Sequence, residues 1–164
     1  ACSFHGEYYD IEVPTLGPLT DAPPLLIGSL GGPRTIREVT PHLDRVELKA
    51  QSAATRDGAL DLAVMADIPE SHLLAMIEQV RAVRPEIKLS MFCLFSVGDD
   101  PVTERVAATM TEGGLFRRFF GAPERVAEGL AWLETIGIDS VSLSPMTAHS
   151  LEQLAPFVVA GQSD

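Results

Sequence analysis

The chain has 164 residues, 46% of them hydrophobic and 21% charged, the proportions of an ordinary soluble domain with a real core. Acids outnumber bases 23 to 12, a net charge of −11, and such a surface repels nucleic-acid phosphates and anionic membranes alike. No apolar run approaches the roughly 18 residues of a membrane span. Cys2 and Cys93 are too few for a disulfide framework, so the expected address is cytoplasmic.

Residues 4–13 alternate loosely, the pattern of a small hairpin or an extended arm, and Pro14, Gly17, Pro18, Pro23 and Pro24 mark residues 14–24 as a loop. Leu25 to Ser29 then predicts a first buried strand. Gly31 and Gly32 follow, and Pro33 opens a helix to about Thr40, which Pro41 stops. Glycines at such a turn let a ligand approach the backbone, and a helix start offers free N–H donors to an anion. The same Gly-Gly-Pro also serves short αβ proteins simply as a turn.

Arg45–Leu48 reads as a second strand. Residues 50–68 are ambiguous, because a short apolar run such as 59–65 suits helix and strand equally. A helix opened by Pro69 presents Leu73, Leu74, Ile77 and Val80 on one face and ends before Pro85. Ile87 to Val97 is the strongest strand, apolar at nearly every position, as expected where both faces are covered. Cys93 within it packs as a small hydrophobe.

Gly98–Pro101 turns the chain into a helix near 102–111, and Gly113-Gly114 with Phe116–Phe120 reads as a mobile connection. Pro123 opens the next helix, with an inward stripe of Val126, Leu130 and Leu133 and a terminating Gly137. Asp139–Ser144 is the last strand. Ser150 and Gln153 have capping-box spacing ahead of a final helix from Leu151 to about Val158, and Gly161–Asp164 reads as a frayed tail.

The chain is thus read as one domain, 1–164, with an arm and loop over 1–23 and β/α units over 24–160. About four strands alternating with helices predict an α/β fold with a parallel sheet and right-handed crossovers. Two architectures fit: a small open doubly wound sheet, or four consecutive units of a (β/α)8 barrel. In both, ligands sit at the carboxyl ends of the strands, here Gly28-Ser29, Leu48-Lys49, Ser96-Val97 and Ser144–Thr147.

The four histidines (His5, His42, His72, His149) show no metal spacing, and no Cys-x-x-Cys or His-Glu-x-x-His is present, so no metal is expected. Arg117-Arg118, between Phe116 and Phe119-Phe120, either gathers a ligand carboxylate or phosphate or forms a solvated loop with aromatic anchors.

Several segments in order are similar to the luciferase-like monooxygenase superfamily, specifically its coenzyme F420 (deazaflavin) dependent oxidoreductases. Phe4-His5-Gly6-Glu7-Tyr8-Tyr9 resembles the arm before that family's fifth strand. Pro23–Ser29 followed by Gly31-Gly32-Pro33-Arg34-Thr35 resembles its cofactor-binding strand and turn. Asp44–Leu48 resembles the strand that often reads Ala-Asp-Gly-Trp, although here the triplet is Asp44-Arg45-Val46, which alters the pocket wall beyond it. Phe120–Glu128 resembles the late Gly-x-Pro-Glu-x-Val helix start, and Gly137–Val141 and Leu151–Phe157 resemble the final strand and helix.

The resemblance implies the second half of a (β/α)8 barrel, strands five to eight, as a portion of a longer enzyme. It implies F420, or FMN as the alternative, at the carboxyl face. Gly31, Gly32, Arg34 and Thr35 match the turn that approaches the cofactor. The implied reaction is hydride transfer between the deazaflavin and a small organic substrate. The family's acid–base residues lie in its first half, so no catalytic residue is carried over, and the isolated chain is expected to show little activity. The alternative is a non-catalytic half-barrel that binds a phosphorylated ligand or a partner, with a homodimer closing eight strands.

Overall fold

The structure is a computed structural model that describes residues 2–14, 25–56 and 58–160. The expected loop at 15–24, Asp57 and the tail 161–164 lie outside these residues. An antiparallel hairpin comes first: β1 (Cys2–His5) pairs with β2 (Asp10–Val13), with Phe4 opposite Ile11. The Gly6 N–H donates to the Tyr9 carbonyl (2.8 Å) to close it. Phe4, Tyr8, Tyr9 and Ile11 are exposed.

The β/α units follow as β3 (Ile27–Leu30), α1 (Pro33–Val39), β4 (Arg45–Leu48), α2 (Leu62–Ala66), α3 (Glu70–Val83) and β5 (Lys88–Val97). Then come α4 (Pro101–Thr109), the two-residue β6 (Phe120–Gly121), α5 (Pro123–Thr135), β7 (Ser140–Pro145) and α6 (Ser150–Ala160). The ambiguous stretch after β4 resolves into a 3-10 turn, Ala50–Thr55, and α2, whose first N–H groups donate to the Asp61 carboxylate.

All sheet pairings among the β/α units are parallel. β3 lies beside β4, β4 beside β5, and β7 on the far edge of β5, with β6 at the carboxyl end of β5. Each new long strand is therefore added on the same side. A doubly wound sheet reverses its order at a switch point; this one does not. Crossovers of one hand running in one direction lay their helices on one face and leave the other bare. The sheet is an arc of a (β/α)8 barrel rather than an open sandwich.

The two faces differ accordingly. Val46, Leu48, Leu89, Met91, Cys93, Phe95 and Val97 alternate along β4 and β5 and are fully buried in the core with Leu73, Met76, Ile77 and Val80 of α3. On the opposite face Ile27, Ser29, Glu47, Phe92, Leu94 and Ser142 are exposed or half-buried, while Ser90 and Ser96 of β5 are buried.

Several expectations change. The first strand is not buried: Leu25, Leu26 and Ile27 are 64%, 50% and 53% exposed, because β3 is an edge strand and only one of its faces is packed. β5 lies inside the sheet, yet it too is covered on both faces only in part, with Phe92 and Leu94 half-buried. On α3 the buried stripe takes Met76 and leaves Leu74 outside. Residues 113–120 are no mobile connection. Leu115, Phe116, Phe119 and Phe120 are fully buried in a 3-10 turn (Leu115–Phe119), with Phe116 and Phe119 edge to face. Burying three phenyl rings outweighs the loop-like composition of Gly113-Gly114 and Arg117-Arg118.

Ser150 does not cap its own helix. Its hydroxyl oxygen accepts from the Val97 N–H (2.9 Å) and lies 2.6 Å from Thr147 Oγ1, tying the end of β5 to α6. Gly137 does end α5, at φ +89, where the left-handed backbone suits glycine.

Candidate functional site

The carboxyl ends of β3 and β4 meet at the turn 31–35. Gly32 precedes α1 in an extended conformation, and Thr35 Oγ1 donates back to the Gly32 carbonyl (2.8 Å). Arg34 is exposed and reaches Glu38 through Nε (3.1 Å). The glycines divide in role. A Cβ on Gly32 would meet, among the described residues, only Thr35 Oγ1, at 3.6 Å, so that side is open to them. A Cβ on Gly31 would fall 2.5 Å from Ser52 Cβ, and Ser52 Oγ donates to the Gly31 carbonyl (3.2 Å). Gly28 is likewise filled by Leu43. Two of the three glycines are thus needed by the chain's own packing, and one leaves room for something else.

Next to Ser52 stands Gln51. The 3-10 turn that follows β4 buries it to 1% exposure, and neither its Oε1 nor its Nε2 has a hydrogen-bond partner among the described residues. Buried polar atoms are paired in the great majority of cases, and leaving an amide unpaired costs about 1–3 kcal/mol. Gln51 lines a cavity of about 440 Å³ whose other polar residues are Ser29, Glu47, Lys49 and Thr55 and whose apolar ones are Leu60, Phe92 and Leu94. The cavity opens among the β3, β4 and β5 residues of the helix-free face. Beside it, Glu47 accepts from Ser142 Oγ (2.8 Å), holding β7 to β4 across β5. Lys49 has no ion pair among the described residues.

Sequence reasoning reached Gly31, Gly32, Arg34 and Thr35 and placed them at one turn, as found. It missed Gln51. The available signal was a polar residue set among small ones, Ala50-Gln51-Ser52-Ala53-Ala54, immediately past the end of a strand.

Arg117 and Arg118 are spent internally. Arg117 bonds Glu112 (3.1 Å) and the Phe120 carbonyl (3.1 Å). Arg118 bonds Glu70 (2.6 Å) and lies 4.4 Å over the Trp132 ring. They are not a solvated loop: both are tied to the chain's own groups. A second cavity, of about 740 Å³, lies between α4, the start of α5 and α6, and its lining includes Arg117, Arg125, Asp99 and Glu104.

Titration shifts fall outside these cavities. Asp100 caps α4 by accepting from the Thr103 hydroxyl and from the Thr103 and Val102 N–H groups, which hold its carboxyl below the usual carboxylate range. Asp139 is lowered chiefly by the Lys88 ammonium bonded to it (2.8 Å). Burial pushes the Cys93 thiol up, so it is inert as a nucleophile. No group of three metal-ligating side chains occurs among the described residues, and no helix in them is long and apolar enough to cross a membrane.

No family model matches the chain, and no curated protein does. Comparison with solved structures defines the fold first: an α/β arrangement of parallel strands and alternating helices that matches about half of a (β/α)8 barrel. The particular structures include an F420-dependent secondary alcohol dehydrogenase in complex with an F420–acetone adduct. It is 12% identical with a TM-score of 0.50, and the match covers 96% of this chain and 56% of that one. A long-chain alkane monooxygenase is 14% identical at a TM-score of 0.50, over 99% of this chain and 48% of that one. A 2,3-dimethylmalate lyase of the PEP mutase/isocitrate lyase superfamily reaches 0.45 at 13% identity, over 84% and 54%. The chain spans about half the length of the structures it matches.

Proposed function

We propose that the chain is the second half, strands five to eight, of a luciferase-like barrel, and that it holds coenzyme F420 at the carboxyl face of an oxidoreductase acting on a small organic substrate. The observation that carries this reading is adjacency. The Gly31–Thr35 turn contacts Ser52, the neighbour of the cavity-lining Gln51, at the carboxyl ends of β3 and β4. A phosphate tail and a flat ring need two such neighbouring places.

The residues fit that group at the open side of Gly32. Gly31 contributes the tight turn rather than the contact, since Ser52 fills its free side. Arg34 supplies charge for a phosphate, and the Thr35 hydroxyl, which donates to the Gly32 carbonyl, holds the turn in shape. The bound cofactor would supply the hydride chemistry; the chain's part is to orient it and exclude water. The barrel likeness to an F420-dependent alcohol dehydrogenase favours the deazaflavin over FMN.

The test is a fluorescence titration of the chain with F420 and, separately, with FMN. F420 is expected to bind more tightly, and Gly32→Val and Arg34→Ala are expected to weaken it about tenfold or more. The reading fails if neither cofactor binds, or if both variants bind F420 as the native chain does.

A second reading keeps the fold and drops the chemistry: a half-barrel that binds a phosphorylated ligand, or pairs with a second copy. β3 and β7 are edge strands in the sheet of the described residues, and one sheet face carries no helices. A stable dimer by light scattering, with inorganic phosphate binding but no F420 binding, would favour it.

A further inference from the structure

We propose that the cavity of about 740 Å³ between α4, the start of α5 and α6 binds a small zwitterion of the amino-acid class, taking its carboxylate at Arg125 and Arg117 and its ammonium at Asp99 and Glu104. The inference stands apart from the reading above. This cavity lies in the helical layer and shares no lining residue with the one beside Gln51.

The charges are sorted by element. Asp99 sits in the turn from β5 into α4, and Glu104 in the first turn of α4. Arg117 belongs to the 3-10 turn Leu115–Phe119, and Arg125 to the first turn of α5. One wall therefore carries the acids and the other the arginines. A Cβ on Gly121 would lie 4.0 Å from both Arg117 Nη1 and Arg125 Cδ, so the two arginines border the free side of one glycine. Arg117 is held there by Glu112 and the Phe120 carbonyl, through Nε and Nη1. Among the described residues Asp99, Glu104 and Arg125 enter no ion pair. Opposite charges that line one cavity without meeting leave a place for a molecule that bears both.

Single-charge ligands fit less well. A lone carboxylate or phosphate would gain the arginines, yet it would sit beside two acids and arrive against a net charge of −11. A lone amine would gain the acids and sit beside the arginines. A zwitterion carries no net charge and receives a charge-assisted hydrogen bond at each end. The rest of the lining sets its third group. Ala107, Ala108, Ala122 and Pro123 are small and apolar, and Gln153 is packed over Gly98, where a Cβ would fall 2.6 Å from its Oε1. A hydrocarbon side chain suits those walls, and the volume is in the range of small-molecule sites.

The test titrates the isotope-labelled 164-residue chain with leucine and with phenylalanine, read by backbone amide shifts. Each is compared with its des-amino acid and its decarboxylated amine. At least one amino acid is expected to shift the Gly98–Ala108 and Arg117–Arg125 segments, with both of its analogues at least about tenfold weaker. Arg125→Gln and Glu104→Gln alter exposed side chains, so both variants are expected to unfold at the native temperature and to bind that amino acid about tenfold more weakly. No shift with either amino acid, equal binding by the analogues, or native binding by both variants would overturn the proposal. The two readings fail separately, because F420 is followed by its own fluorescence and depends on Gly32 and Arg34, while the amino acid depends on Glu104 and Arg125.

Discussion

The two faces of this sheet are made from the same strands and obey different rules. On the helix side, Val46, Leu89, Met91, Cys93 and Phe95 are sealed at 0% exposure. On the other side, one residue along in each strand, Ile27 is 53% exposed and Glu47, Phe92 and Leu94 are half-buried. Stability is concentrated on the first face. The second is polar where it is ordered by hydrogen bonds, apolar where it lines a cavity, and holds an unpaired amide at its rim. A surface that contributes little to folding, yet is shaped and charged, is one on which binding residues are tolerated.

The sharpest break of this contrast is a pair of truncations. Phe95→Ala removes a ring from the sealed face and is expected to cost about 3–5 kcal/mol in urea unfolding. Ile27→Ser on the open face is expected to cost less than about 1 kcal/mol. Equal losses would show that the open face is packed in solution.

The second contrast lies inside the candidate turn. Gly31→Ala drives a Cβ against Ser52 and is expected to destabilise by about 1–3 kcal/mol. Gly32→Ala has room and an extended backbone, so it is expected to be neutral or to stabilise by up to about 1 kcal/mol. Both are read by thermal unfolding; the opposite order would reassign which glycine serves packing.

The smallest expected effect is electrostatic. Asp139 bonds Lys88 and accepts from the Leu89 N–H (2.8 Å), and its carboxyl is held below its ordinary value. A lowered folded-state value means the stabilisation is present above the unfolded carboxylate's range, near pH 3.9, and is lost as pH falls through the folded value. Asp139→Asn is therefore expected to lower the unfolding temperature modestly at pH 7 to 9 and to flatten its decline below about pH 4, so that variant and native chain converge in acid.

Much of the fold was legible. Prolines and glycines at 33, 69, 101, 123 and 137 marked helix boundaries, and the apolar run through residue 97 marked the central strand. Periodicity does not encode which strand pairs with which, so the choice between a doubly wound sheet and a barrel arc needed the observed order. The phenylalanine-rich turn was misread because glycine and arginine pairs dominate its local composition, while its burial depends on α3 and α5 arriving from elsewhere. At the site, the Gly31–Thr35 turn was visible as a strand–turn–helix pattern. Gln51 was not, because its meaning lies in lacking a partner, and a sequence does not show what fails to pair.

β5 grips β4 along one edge and β7 along the other, and its Ser90 is paired with Ser140, fifty positions later. A ribosome adding about 5–20 residues per second needs roughly 3–10 s to supply that span. Through that interval the most apolar strand of the nascent chain has one edge unfilled and most of its helical cover still unsynthesised. The interval is set by topology rather than by any single side chain. It makes the stretch from Lys88 to Val97 the segment on which a chaperone's early grip would matter most.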